Sequence, residues 1–168
     1  MKISMHQASA PRFANTLRNL SAILDKAQAF SDARKLDPAA LPGSRLIVDM
    51  FPLSRQVQIA CDTAKGAVAR LAGVEIPKHE DTEQSLAELK ARIAKTIDFI
   101  ESVPAAKLDG SEEREVVLKQ RGQDVKFNGL QYLFGHALPN FYFHVVTAYG
   151  ILRANGVELG KRDYIGTP

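Results

Sequence analysis

The sequence predicts an all-α protein, a four-helix bundle with a small β-hairpin inserted between the third and fourth helices. Three observations carry that expectation. Apolar residues recur at three- and four-residue spacing over three long stretches. A fourth, aromatic-rich stretch keeps a helical character across a proline, and one short segment alternates around a Gly-containing turn. The chain of 168 residues is 45% hydrophobic and 24% charged, the make-up of one soluble globular domain over residues 1–168. A chain of this size buries roughly two-thirds of its unfolded surface, enough to fold without disulfides or a structural metal. The single cysteine, Cys61, agrees, since it allows neither an internal disulfide nor a Cys-based zinc site.

Helix one begins near Phe13. Phe13, Leu17, Leu20, Leu24 and Ala27 form one stripe, Ser9 is the expected N-cap, Pro11 sits in the first turn, and Ser31-Asp32 lie just beyond the expected end. From Phe30 to Asp49 the chain is interrupted by Pro38, Pro42 and Gly43. Asp37 before Pro38 can start a one-turn helix, and Leu36, Leu41, Leu46, Ile47 and Val48 read as side chains that pack this long connection down.

Helix two runs from about Pro52 to Ala72 on a stripe of Leu53, Val57, Ala60, Ala64, Ala67 or Val68, and Leu71. Gly73 follows as the residue that turns the chain out of the helix. Asp81 and Gln84 resemble a capping box for helix three, whose stripe is Leu86, Leu89, Ile93, Ile97 and Ile100 before Pro104. Glu115 to Phe127 reads as the hairpin, turning at Gln120-Arg121-Gly122-Gln123. The last helix starts at Asn128 or Gly129 and ends near Asn155-Gly156, with Pro139 expected to force a break or kink after Ala137. Six of the twelve Phe and Tyr residues lie there, which predicts a central position in the core. The tail from Val157 to Pro168 has no periodicity.

Charge excludes some partners. A net charge of +3 is small, and Lys119, Arg121 and Lys126 on the hairpin are interleaved with Glu112, Glu113, Glu115 and Asp124, which argues against nucleic acid. No stretch approaches the ~18 apolar residues of a membrane-spanning helix, and Met1 to Pro11 lacks the apolar run of a signal peptide, so a cytoplasmic location is expected. Nucleoside-phosphate loops and nucleophile elbows are also missing from the sequence. Cys61 falls among small apolar residues of helix two, the setting of an inert buried thiol.

The chemistry-bearing constellation is on helix four, where Asn140 and His144 stand four residues apart on one face. That spacing is how a helix offers two ligands to a metal. A histidine on an apolar face is more commonly a core residue hydrogen-bonded to a neighbour, and a neutral amide oxygen is a poor ligand for zinc or nickel. His6 and His136 fall where they can line a bundle end, and His79, beside Glu80 and Asp81, reads as solvated loop.

The stretch Leu138-Pro139-Asn140-Phe141-Tyr142-Phe143-His144, with Ala148-Tyr149-Gly150-Ile151-Leu152-Arg153 and Asn155-Gly156-Val157, resembles the last helix of the DUF1993 family, a domain of unknown function in the DinB-like superfamily. Arg45-Leu46, Asp49-Met50-Phe51-Pro52-Leu53 with Gln56, Met5-His6-Gln7-Ala8-Ser9 and Gly160-Lys161-Arg162-Asp163-Tyr164 extend the resemblance over nearly the whole chain. It implies an up-down-down-up bundle with a long crossover, often a homodimer. Metal-binding members of that superfamily carry a histidine on helix two and an HxxxH pair on the last helix before an LRxxG-like ending. Matching Arg153 and Gly156 to that ending places the pair at Asn140 and His144, and Gln56 is the polar residue of helix two that would stand third.

The resemblance therefore implies a degenerate metal site of Gln56, Asn140 and His144, with Tyr149 as a further pocket residue. A cofactor is not expected, and zinc or nickel are the metals left open. Three readings follow: a metal-free bundle acting as a small-molecule-binding or interaction module, a metal-dependent thiol S-transferase or isomerase-like enzyme, and a stress-associated homodimer with a non-catalytic pocket. Fold analogy alone does not choose among them, so whether the chain is an enzyme stays open.

Overall fold

The computed structural model describes residues 3–166. Four long helices dominate: α1 (Ala10–Arg34), α2 (Leu53–Ala72), α3 (Leu86–Ser102) and α4 (Leu138–Ala154). α2 packs on both α3 and α4, and α3 packs on α1. Cross-helix pairs fix the directions. Arg18 pairs with Glu101 and Asp25 with Lys90, so α1 and α3 are antiparallel. Gln56 meets His144 and Thr63 meets Asn140, so α2 and α4 are antiparallel. Asp62 of α2 pairs with Arg92 of α3, and Arg55 and Gln58, earlier in α2, reach Asp81 and Glu83 just before α3 begins, so α2 and α3 run parallel. The result is the up-down-down-up order.

The predicted stripes fill the core. Phe13, Leu17, Leu20 and Leu24 of α1 meet Leu53, Val57, Ala60 and Leu71 of α2, Leu89 and Ile93 of α3, and Phe141, Ala148 and Ile151 of α4, all fully buried. Phe13 and Phe141 meet edge to face with ring centroids 4.9 Å apart. Gly73 ends α2 in the left-handed conformation, as its position predicts. The hairpin is β1 (Val116–Gln120) paired antiparallel with β2 (Gln123–Phe127), Val116 opposite Phe127. Its turn residues Arg121 and Gly122 both have positive φ, the requirement of a two-residue hairpin turn that follows the sheet twist.

Several expectations are corrected. α1 runs through Ser31-Asp32 to Arg34, because Gln28 donates to Asp32 and Arg34 covers the Phe30 ring at 3.9 Å, which ties the last turn together. Ser9 makes no side-chain cap; its hydroxyl donates to the Met5 carbonyl of the preceding turn, Met5–Ala8. Asp37 does start a turn, accepting from the Ala39 amide before the short helix Ala40–Gly43. The connection is pinned by backbone bonds such as Leu53 N–H to Ser44 O. Of the five apolar side chains expected to pack it down only Leu41 is buried, and Leu36, Leu46, Ile47 and Val48 are exposed, Val48 to 87%.

At α3 the capping box is Ser85 with Glu88, since Asp81 is drawn away by Arg55 and Arg92. Asn128 and Gln131 form another box that opens Gly129–Tyr132, and a π-helical turn, Leu133–Ala137, carries the chain into α4. The α-helix is thus interrupted up to Ala137, where the break was expected, and resumes at Leu138 with Pro139 in the first turn of α4, where its missing N–H costs least. The aromatic segment is only partly central. Tyr132 and Phe141 are buried, whereas Phe134 and Phe143 face solvent. The aperiodic tail forms a short helix, Lys161–Ile165, held to α1 by Lys26–Asp163 and by Asn19 donating to the Tyr164 carbonyl. Residues 1, 2, 167 and 168 of the expected domain lie outside the described residues. No helix among those described is long and apolar enough to cross a membrane.

Candidate functional site along the seam of α2 and α4

Positions 56, 63 and 70 of α2 recur every seven residues; the first two meet α4, which runs the other way, and the third meets Tyr132 of the short helix Gly129–Tyr132 ahead of it. They make three polar rungs across an otherwise apolar seam. The first is Gln56 with His144, 2.7 Å from Oε1 to Nδ1 and buried. Gln56 is 1% and His144 8% exposed. The Gln56 amide is oriented by its own Nε2, which donates to the Phe51 carbonyl at 3.0 Å. Its Oε1 is therefore an acceptor, and His144 must carry its proton on Nδ1. Burial lowers the His144 pKa from the ordinary histidine value, and the nearby Arg55 charge adds to that shift, so the imidazole is neutral near pH 7.

The second rung joins Asn140 to Thr63, Nδ2 to Oγ1 at 2.9 Å. Asn140 thus does not join Gln56 and His144: the expected trio is a pair plus a separate rung. Tyr149 is also apart, its hydroxyl turned to the Leu159 carbonyl at 3.4 Å. The third rung is Arg70, whose Nη1 donates to the buried Tyr132 hydroxyl at 3.3 Å.

The residues at the first two rungs do not fit a resident zinc or nickel. Such ions want about three imidazole, thiolate or carboxylate donors. Here there is one free imidazole nitrogen, Nε2, and two neutral amides, with the Gln56 oxygen already occupied by His144 itself. Among the described residues no three His, Cys, Asp or Glu side chains are placed so that they could hold a metal ion between them.

A polar cluster that the sequence reading passed over lies on the other side of α2. Arg92, on the apolar face of α3, is almost fully buried, with Asp62 at 2.8 Å, Asp81 at 2.9 Å and Glu83 at 3.0 Å, and it also donates to the Glu80 carbonyl. It straps the connection between α2 and α3 to the bundle. His79, read as solvated loop, is half-buried in this strap with Nδ1 enclosed. The only signal was a charged residue within the α3 stripe, between Leu89 and Thr96. Next to it Cys61 is fully buried, and burial pushes its thiol up to about 12. It is no nucleophile in the folded protein.

The fold and the seam define the class: a DinB-like four-helix bundle. A crystal structure of a DinB family member protein from Shewanella denitrificans is similar over 97% of this chain and 92% of that chain, with a TM-score of 0.89 and 46% identity. The family described as Domain of unknown function (DUF1993) matches residues 5–165, and the chain belongs to it. No curated protein matches.

Proposed function

We propose that this chain is a metal-independent binding module in which the position of the superfamily's metal site has become a structural hydrogen bond. The observation that supports it is the closed Gln56–His144 pair. Each partner spends its directed valence on the other or on the Phe51 carbonyl, and one imidazole nitrogen is left. The test is calorimetric titration of the metal-stripped protein with zinc, alongside thermal unfolding with and without a chelator. No stoichiometric tight binding and an unchanged midpoint are expected. A one-to-one zinc isotherm lost in His144→Ala would restore the metalloenzyme reading.

A second element of this reading is a homodimer, favoured by the exposed apolar surface beside the first rung. Ile47, Val48 and Phe51 on the connection and Phe143 and Val146 on α4 are all exposed. A β-carbon at Gly150, one turn beyond Val146, would touch Leu46 at 3.8 Å, so the connection lies against that face of α4. Apolar surface of this kind marks association sites, and a two-fold pair of copies would cover it. Light scattering is expected to give twice the chain mass, reverting to one chain in Phe143→Glu. A monomer across micromolar to hundred-micromolar concentrations would count against the dimer.

A further inference from the structure

The third rung opens into a cavity of about 710 Å³ between the hairpin and the α2–α4 seam, with Arg70, His136 and Asn140 from the helices and Val117 to Gln120 from β1. We propose that this cavity is a binding site for a small organic oxyanion, a carboxylate or phosphate monoester on an apolar body, with Arg70 as its anchor. The site stands apart from the first rung and does not depend on whether His144 holds a metal or the chain dimerises.

Arg70 is built into place. Gly66 lies one turn before it in the interior of α2, where glycine is unfavourable. A β-carbon at Gly66 would stand 2.5 Å from Arg70 Nη1, so the glycine vacates the space in which the guanidinium lies. That group then meets the Tyr132 hydroxyl through Nη1. Arg70 is half-buried, and among the described residues no carboxylate pairs with it, whereas the two fully buried cations, Lys65 and Arg92, both have acidic partners. Its remaining donors form the planar fork that matches carboxylate and phosphate oxygens.

The surroundings agree in sign. The lining holds Arg70 and Lys119 and no acidic residue. His136 is fixed by stacking on Tyr132, with ring centroids 6.0 Å apart, and by the tilted Phe127 ring at 5.9 Å. Asn140 gives its amide N–H to Thr63, which turns its carbonyl oxygen into a fixed acceptor for a hydroxyl or amine elsewhere on the ligand. Leu118, partly buried and packed toward the core, supplies the apolar wall, while Val117, next to it in the strand, points to the opposite face. The volume is within the usual range of roughly 300–1,000 Å³ for small-molecule clefts.

The experiment is an NMR titration of the ¹⁵N-labelled full chain with benzoate and, separately, phenyl phosphate, at ionic strength held constant with chloride. Saturable shifts of the Arg70 Nε–H and the Asn140 side-chain amide are expected with at least one probe, and the tighter probe identifies the headgroup. Arg70→Gln should weaken binding by about tenfold or more, the size of one charge-assisted contact. Gly66→Ala keeps the charge but displaces the guanidinium, a shift its flexible stem allows, and should weaken binding while the backbone spectrum stays folded. Lys107→Gln, on the exposed surface elsewhere, should bind as the parent does. Absence of saturation with both probes, or parental affinity in Arg70→Gln or in a folded Gly66→Ala, would overturn the proposal.

Discussion

Removing the imidazole of His144 gives the sharpest test of the first rung. In His144→Ala the Gln56 Oε1, buried with its residue 1% exposed, loses a 2.7 Å partner. The amide cannot simply turn over, because Nε2 is committed to the Phe51 carbonyl. An orphaned buried acceptor costs about 1–3 kcal/mol. His144 lies at the edge of the core, so water can enter the space it leaves, which places the expected loss in the lower half, about 1–2 kcal/mol. For a chain of this length that lowers the melting midpoint by about 2–4 °C per kcal/mol. Loss of packing accompanies loss of the bond, so the assay is a double-mutant cycle of His144→Ala and Gln56→Ala, by urea unfolding followed by circular dichroism. A favourable coupling of about 1 kcal/mol is expected, equal in chelator and in zinc. A coupling near zero would refute the structural pairing, and one that appears only with zinc would assign the residues to a metal.

Other consequences follow from the same geometry. Burial lowers the pKa of His79, His136 and His144, with neighbouring cations adding to each shift. The unfolded chain therefore binds more protons than the folded one below the ordinary histidine pKa of about 6.5. Stability should be level above that pH and fall as pH drops through it toward the lowered folded values; urea midpoints that stay flat or rise on acidification to pH ~5 would contradict this. Cys61 should be unreactive to a thiol reagent in the native protein and fully reactive in denaturant, and rapid native labelling would mean that α2 opens far more easily than its packing indicates. Arg92→Met leaves the largely enclosed Glu83 carboxylate with only the neutral Gln58 amide as partner, while Asp62 and Asp81 can rehydrate. A loss of about 2–4 kcal/mol is expected, with faster proteolysis between α2 and α3; parental stability would show that the strap carries little.

What the sequence made legible was whatever recurs with helical period. The α2 and α3 stripes, Gly73 and the hairpin turn could be read because propensity, pattern and packing all act there on neighbouring residues. The end of α1 was misplaced because its last turn is held by Arg34 on Phe30, a pairing of two residues that each look neutral in the sequence. The capping box was shifted by four residues because Asp81 answers to Arg92, distant in the chain, in place of its own backbone. Pro139 signals the interruption that ends at Ala137 but not its form, since a π-helical turn leaves no mark in the pattern.

The site divides in the same way. His144 and Gln56 were found through family resemblance, and their contact depends on the antiparallel pairing of α2 and α4. Asn140 was grouped with them by its four-residue spacing from His144. Spacing on one helix does not say which rung of the neighbouring helix a side chain meets, and Thr63 was the nearer partner. The third rung was invisible because its clue is an absence, the missing β-carbon of Gly66 that makes room for Arg70.

The central claim is that this DUF1993 chain works without the metal of its superfamily's histidine sites. The most direct measurement is elemental analysis of protein purified without a histidine tag or added metal, with zinc and nickel quantified per chain. The account predicts amounts far below one ion per chain, unchanged in His144→Ala. Stoichiometric zinc or nickel, lost on that substitution, would contradict it.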